Sequence, residues 1–430
     1  MALTWRAVAL TALGVVPVLL VPATLVVVAW AVLVVTLCAV DLARAASPRA
    51  VAVTRTVPAS VRLTEQTQST LTVTNRSPRR LRALVRDAWQ PSAGTMMNRH
   101  PVDLPPGESR RITTVLVPTR RGDRLADRVT IRSFGPFRLA ARQVSLDVPG
   151  RLRVLPEFAS RKHLPSRLAR LRELDGRTAV QVRGAGTEFD SLREYVIGDD
   201  VRSIDWRATA RRSEVVVRTW RPERDRRVLI VLDTSRTSAA RIGDVPRIDA
   251  SMEAALLLAA LASRAGDRVD LIAFDRRIRA QVAGTSGPRL LPALADAIAP
   301  LEPAMVETDW AGVVSAVRQR LSQRALVVLL TALEPAAVES GLLPVVPPLA
   351  KDHTVVLASV ADPEVAHLRT GRSTSAEVYD AAAAERTELE RAAVTVRLRQ
   401  RGVEVVDALP DDLAPRLADT YLALKAAGRL

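Results

Sequence analysis

The chain has 430 residues, enough for two or three domains with buried cores. Hydrophobic residues make up 48% and charged residues 25%, a globular balance, while 3% aromatics and a single Cys exclude base-stacking platforms, disulfide frameworks and Cys-built metal or iron–sulfur centres. The net charge of +16 is lopsided: residues 1–227 carry 39 basic and 20 acidic side chains, residues 228–430 carry 23 and 26, and no nucleic-acid recognition motif accompanies the basic half.

Ala7 to Val40 is a run of 34 residues without a charge. One helix of that length would measure about 50 Å, against a hydrocarbon core of about 30 Å. Pro17 and Pro22 favour a break near the middle. The pattern predicts a transmembrane hairpin over residues 1–45, with spans near 7–20 and 23–40; one strongly tilted span is the competing topology. A signal peptide fits less well, because its apolar region runs to only about 7–15 residues. Arg6 lies before the run and Arg44, Arg49 and Arg55 lie after it. For a hairpin, the positive-inside rule puts both ends and the soluble domains on the cytoplasmic side of the cell membrane. The basic excess beside such a segment also fits anionic lipid headgroups.

Residues 46–155 alternate with period two at Val51–Val57, Ser69–Thr74, Leu81–Arg86, Arg111–Val117 and Arg128–Arg132, with turn signals such as Pro105-Pro106-Gly107 between them. That spacing predicts a β-rich, sandwich-like module, read as a spacer. Residues 156–226 begin with a basic linker in which Leu164, Leu168 and Leu171 keep helical spacing, read as a solvated connector.

The end of that linker is dense in motif residues. Gly184, Gly186 and Gly198 permit tight turns, and Glu188, Asp199, Asp200 and Asp205 alternate with Arg193, Arg202, Arg207, Arg211 and Arg212. The first reading is an ion-pair network that fixes an irregular segment, with Trp206 as its apolar anchor. The second is a partner-docking surface, since Trp and Arg are enriched at binding hot spots. A carboxylate metal or catalytic site ranks last, because the arginines can satisfy the carboxylates and no His or Cys stands nearby.

Residues 227–430 alternate strand-like runs (Val228–Leu232, Arg268–Phe274, Ala325–Leu330, Thr354–Ser359, Val403–Val406) with helical ones (Ile248–Ala265, Arg289–Ala299, Trp310–Arg320, Ala381–Gln400, Leu413–Ala427). Such alternation predicts an α/β doubly wound sheet, with Arg276–Val282 as an antiparallel edge. No glycine-rich dinucleotide fingerprint or P-loop occurs. Asp233, Ser235 and Thr237 follow the first strand, and one carboxylate with two hydroxyls at i, i+2 and i+4 can converge on a hard divalent cation. The alternative is that they only cap strand and helix ends.

Gly186, Glu188, Phe189, Leu192, Arg193, Tyr195, Gly198, Asp199, Asp200, Arg202, Ile204, Asp205, Trp206, Ala210 and Arg211, followed by Val228–Ser235, resemble the bacterial family called domain of unknown function 58. The likeness extends over nearly the whole chain. It implies two N-terminal spans, a β-rich region and a von Willebrand factor A-like domain, with a MoxR-type AAA+ ATPase as partner. Asp233-x-Ser235-x-Thr237 is similar to the metal-ion-dependent adhesion loop of von Willebrand factor A domains, with Thr in place of the last Ser. By position Thr308 matches that family's later threonine ligand. Ala332 stands where a further Asp is expected, with Asp309 or Glu334 as the nearest substitutes. The resemblance thus implies a weak or incomplete Mg²⁺ site at Asp233, Ser235, Thr237 and Thr308. The chemistry of the motif residues points to docking or domain fixation by Glu188, Arg193, Tyr195, Asp199, Asp200, Arg202, Asp205, Trp206 and Arg211. The expected protein is a non-enzymatic adaptor in assembly or maturation of an envelope or enzyme complex. It contacts the lipid bilayer and takes neither nucleic acid nor a small-molecule substrate. The alternatives are a metal-dependent hydrolase built on the Asp cluster and a purely structural envelope protein.

Overall fold

In the computed structural model, residues 2–181, 188–212, 214–221 and 226–430 are described, and the chain divides into two units, the first ending at Leu155 and the second starting at Pro156. The first unit opens with a two-residue strand, β1 (Ala2–Leu3), and three apolar helices: α1 (Trp5–Leu13), α2 (Val15–Leu20) and α3 (Thr24–Arg44). The helical hairpin expected from Pro17 and Pro22 is present, with its reversal at Val21–Ala23. Trp30 Nε1 donates to the Leu10 carbonyl at 3.1 Å across the hairpin. Gly14 makes room for that ring, since a Cβ there would sit 2.3 Å from Trp30 Cδ1. The 21 residues of α3 extend about 31 Å, and residues Thr24–Ala50 are apolar enough to cross a membrane, with a mean hydropathy of 2.6.

The hairpin is not a separate body. Strand β1 pairs antiparallel with β9 (Ala140–Leu146), and Thr4 Oγ1 donates to the carbonyls of Arg138 and Leu139 at 2.6 and 3.2 Å. At the same end of the hairpin, on α3, the fully buried Asp41 accepts from the backbone nitrogens of Phe137, Leu139 and Ala140 at 2.8, 2.7 and 2.9 Å. The boundary expected at residue 45 therefore falls inside one compact unit, because a single carboxylate satisfies three N–H groups of a β-hairpin loop.

That loop belongs to a two-sheet β-module. One sheet has three strands: β2 (Val51–Thr56), β4 (Thr67–Asn75) and β7 (Ser109–Leu116), ordered β2-β4-β7. The other joins β1, β3 (Ser60–Arg62), β5 (Leu81–Trp89), β6 (Arg99–Leu104), β8 (Gly122–Phe134), β9 and β10 (Arg151–Leu155). Alternate residues of both sheets, among them Leu71, Val73, Val85 and Ile131, meet in a common core. A buried ion pair crosses between the sheets, from Arg55 to Asp87 at 2.7 Å, with the Arg55 guanidinium 4.9 Å from the centroid of the Trp89 ring.

The second unit opens with α4 (Leu164–Gln181). It is no solvated connector: Leu171 is buried, α4 packs on the helices Arg247–Arg264 and Pro410–Ala426, and Arg167 and Arg170 bond to Asp419 at 2.9 and 3.0 Å. Next come β11 (Glu188–Glu194), the short helix α5 (Trp206–Arg212) and β12 (Val216–Arg221), with β11 and β12 paired antiparallel.

The remainder forms the α/β part. In chain order it contains β13 (Arg227–Asp233), α6 (Arg236–Ala239), the ribbon β14 (Arg241–Ile242) and β15 (Val245–Pro246), α7 (Arg247–Arg264), β16 (Arg268–Phe274), β17 (Ile278–Val282), α8 (Leu290–Ile298) and α9 (Trp310–Arg320). It continues with β18 (Leu326–Leu330), α10 (Pro335–Ala337), α11 (Val346–Asp352), β19 (Thr354–Val360), α12 (Pro363–Leu368), α13 (Ser375–Gln400), β20 (Val403–Ala408) and α14 (Pro410–Ala426). The six-stranded sheet is ordered β17-β16-β13-β18-β19-β20, all parallel except the edge strand β17. Helices α7 and α14 cover one face, and the other is packed by residues such as Val313 and Val317 of α9 and Val394 and Leu398 of α13. Burial on both faces explains the uninterrupted apolar runs of β13, β18 and β19.

Candidate functional site

The direction of winding reverses between β13 and β18, which are neighbours in the sheet but far apart in sequence. In open α/β sheets, the crevice outside the carboxyl ends of the strands at such a reversal receives ligands. Asp233 is the last residue of β13, and Thr331 directly follows β18.

Four hydroxyl groups converge on the Asp233 carboxylate. Its Oδ2 accepts from Ser235 Oγ at 3.1 Å, Thr237 Oγ1 at 3.1 Å and Thr331 Oγ1 at 2.7 Å. Its Oδ1 accepts from Thr308 Oγ1 at 2.8 Å and from the Ser235 backbone nitrogen at 2.9 Å. The four residues expected from the sequence, Asp233, Ser235, Thr237 and Thr308, are thus brought together, and Thr331 joins them. Thr331 is not legible from local spacing, because only the pairing of β18 with β13 brings it to Asp233; its one signal in the sequence is a hydroxyl at the carboxyl end of a wholly apolar strand.

Five donors exceed the four or so lone-pair positions of a carboxylate. Ser235 Oγ and Thr237 Oγ1 are also only 3.0 Å apart. With Asp233 Oδ2 they make a near-equilateral triangle of oxygens, with edges of 3.0, 3.1 and 3.1 Å. Two hydroxyl protons cannot serve three contacts, so one edge of the triangle faces lone pair to lone pair. An octahedral Mg²⁺ with oxygens at about 2.1 Å sets neighbouring ligands about 3.0 Å apart. The triangle therefore has the dimensions of one face of a Mg²⁺ octahedron.

A small cavity of ≈ 50 Å³ opens beside the triangle, lined in part by Thr308, Trp310, Thr331 and Ala332. That is room for a small ion with its water. Trp310 forms one wall, and Gly341 lets the following segment close over it: a Cβ at Gly341 would lie 2.7 Å from Trp310 Cδ1. Arg236 and Glu307 also line the cavity and pair at 3.3 Å. Neither sequence substitute for the missing Asp is in place. Asp309 caps α9 through the Gly312 nitrogen at 2.9 Å, and Glu334 does not line the cavity. Among the described residues no group of three or more His, Cys, Asp or Glu could hold a metal, so the donor set here is one carboxylate with hydroxyls.

The second cluster of predicted residues lies in the β11–β12 segment. Gly184 and Gly186 fall outside the described residues, as does the side chain of Glu188. Arg193 forks onto Asp199 at 2.6 and 2.8 Å, and Asp199 also accepts from the Val196 nitrogen at 3.0 Å. The Arg193 guanidinium therefore holds the Asp199 carboxyl below the usual carboxylate range. Asp200 caps a turn by accepting from the Arg202 nitrogen at 2.9 Å. Asp205 caps α5 through the nitrogens of Arg207 and Ala208, both at 3.0 Å, and pairs with Arg218 at 2.9 Å. Its pKa is lowered first by the Ala208 N–H and then by Arg218. The network expected here exists in two separate halves, so Asp199, Asp200 and Asp205 each spend their oxygens on different partners. Tyr195 is half-buried, and Arg202 and Arg211 are exposed.

Trp206 is not the apolar anchor of this network: it is 69% exposed. Its neighbours in the segment include Ile197 at 97% and Val201 at 64%. The irregular backbone is fixed by the capping aspartates, which frees Trp206 from the core.

Residues 191–404, from this segment through most of the sheet, match one protein family. It is the family described as Protein of unknown function DUF58. Relatives of the chain include the uncharacterized protein Rv1480 of Mycobacterium tuberculosis and its counterpart Mb1516 of Mycobacterium bovis, each 28% identical over 152 residues. That alignment takes in 35% of this chain, which spans about half (48%) of the length of those relatives. Among solved structures, the CARDB domain of PF1109 from Pyrococcus furiosus matches 26% of the chain and 94% of its own length at 18% identity and a TM-score of 0.19. Proximal thread matrix protein 1 from the mussel byssus matches 47% of the chain and 46% of its own length at 13% identity and a TM-score of 0.26. In this chain the DUF58 match contains both candidate clusters, the Asp233 hydroxyl cage and the Arg193–Asp199 fork.

Proposed function

We propose that this protein is a membrane-anchored adaptor whose α/β part, a doubly wound domain of von Willebrand factor A type, binds an acidic group of another protein through a cation at Asp233. The observation that carries this reading is the oxygen triangle of Asp233, Ser235 and Thr237 at the winding reversal. The residues that would hold Mg²⁺ are Asp233, Ser235 and Thr237, with Thr308 and Thr331 orienting the carboxylate. A bound Mg²⁺ would supply a positive charge with open positions for a partner's carboxylate. Ala332 leaves that charge less neutralised than two carboxylates would. The site is then weak alone and strengthened by the partner's acidic side chain.

The partner in this reading is a MoxR-type AAA+ ATPase, and the role is assembly or maturation of an envelope or enzyme complex. The exposed Trp206, with Ile197, Val201 and the arginines around them, supplies a second contact of hot-spot composition. The apolar hairpin α1–α3 anchors the chain in the cell membrane, and the arginines flanking it favour a cytoplasmic position for the soluble parts.

Calorimetric titration of Mg²⁺ into the full-length protein, alone and with a soluble acidic peptide, tests the site. Binding by the wild type that tightens with the peptide and vanishes in Asp233→Ala is the expected result. Identical heats for both proteins would sink the cation reading.

A further inference from the structure

The hairpin does not close on itself. Between α1 and α3 runs an apolar cleft of ≈ 330 Å³, lined in part by Val8, Thr11, Val35, Cys38 and Ala39 and floored by Ala140 of the β-module. Its volume is at the lower end of ligand-sized pockets, about 300–1,000 Å³. The only hydroxyl in its lining, Thr11, is spent on the Ala7 carbonyl at 2.9 Å, so the cleft offers almost no hydrogen bonds. An acyl chain needs none.

The charges beside the cleft decide which lipid. The floor is where β1 meets β9, and Arg6 and Arg138 lie three and two residues from its Leu3 and Ala140, both exposed. Trp5 is 75% exposed and Phe137 48%, an aromatic and cationic set of the kind that marks the level of lipid headgroups. Asp41 and Thr4 hold the Arg138 loop against this end of the hairpin. We infer that the cleft holds one acyl chain of an anionic phospholipid, whose phosphate is met by Arg6 and Arg138. The inference rests on the membrane-anchor reading.

Native mass spectrometry of the full chain, purified in detergent and exchanged into dioleoyl phosphatidylglycerol or dioleoyl phosphatidylcholine, tests it. One phosphatidylglycerol should stay bound, at least tenfold over phosphatidylcholine. Ala39→Trp, which fills the cleft, should release both lipids, and Arg6→Gln with Arg138→Gln should erase the preference while the chain still binds. In the unaltered protein, added phosphatidylglycerol should slow maleimide labelling of Cys38, the sole thiol. Equal retention by wild type and Ala39→Trp, unchanged Cys38 labelling, or a Cys38–Cys38 cross-link between two copies would overturn the inference. Alkaline carbonate separates the two levels. A chain washed off membranes overturns the anchor and the lipid site together, whereas an integral chain that retains no lipid overturns the lipid site alone.

Discussion

Thr331 donates its hydroxyl to Asp233 at 2.7 Å across the reversal between β18 and β13, although 98 residues separate them in sequence. This bond ties the cavity wall to the loop that carries Ser235 and Thr237. Thr331→Val removes one donor from an oversupplied carboxylate, so the expected loss of stability is small, about 1 kcal/mol. Chemical denaturation reads it. A loss several times larger would mean that the hydroxyl cage, rather than the sheet, holds this part of the fold.

Ala332 is 3% exposed and lines the same cavity. Ala332→Asp adds a second carboxylate where the oxygen triangle is open. The account predicts Mg²⁺ binding at least about tenfold tighter than wild type, since divalent affinity rises with ligand charge. Calorimetry decides; a variant that binds no better places the cation elsewhere.

Asp41 is predicted to be a keystone of the first unit. Its carboxylate serves three backbone N–H groups in a buried place. Asp41→Ala strands them, at about 1–3 kcal/mol for each unsatisfied group. The expected loss is about 3 kcal/mol or more, visible as protease cleavage in the 135–140 loop of the full-length protein. An unchanged digestion pattern would show that water replaces the carboxylate.

Trp206 separates binding from folding. Because its side chain is exposed, Trp206→Ala should change stability by no more than about 0.5 kcal/mol. Partner capture should nevertheless fall severalfold. A melting temperature that drops by many degrees would return Trp206 to a structural role.

The Asp199 and Asp205 carboxyls both have lowered pKa values in the folded chain. Depressed carboxylates bind fewer protons folded than unfolded, so their stabilisation is complete above the unfolded value of about 3.9. It is lost as the pH falls through the lower folded values. Local protection of the β11–β12 segment, followed by hydrogen exchange corrected for intrinsic rates, should therefore weaken below about pH 4 and stay flat above pH 5. Weakening near neutrality would point to a different group.

Periodicity carried most of the architecture. The apolar runs at Val228–Leu232 and Thr354–Ser359 announced buried parallel strands because both faces of those strands are covered. The hairpin break followed from Pro17 and Pro22. Contacts between distant residues were less legible. Nothing local in the sequence ties Asp41 to Leu139 or Arg167 to Asp419, so the hairpin read as a separate domain and α4 as a free connector. At the candidate site, the spacing of Asp233, Ser235 and Thr237 was sufficient because one turn holds all three. Thr331 needed the strand order. Trp206 departs from its expected place for a general reason: a large aromatic is buried on average, whereas here the caps at Asp200 and Asp205 hold the segment and leave the ring exposed.

In the proposed function the Asp233 cage joins a membrane-anchored chain to a AAA+ ATPase. Affinity capture from native membranes, wild type beside Asp233→Ala and each with and without a chelator of Mg²⁺, tests it most directly. The account predicts a MoxR-type ATPase enriched with the wild type and lost both in the variant and on chelation. Equal enrichment with both proteins, or no ATPase under mild detergent with the wild type, would contradict it.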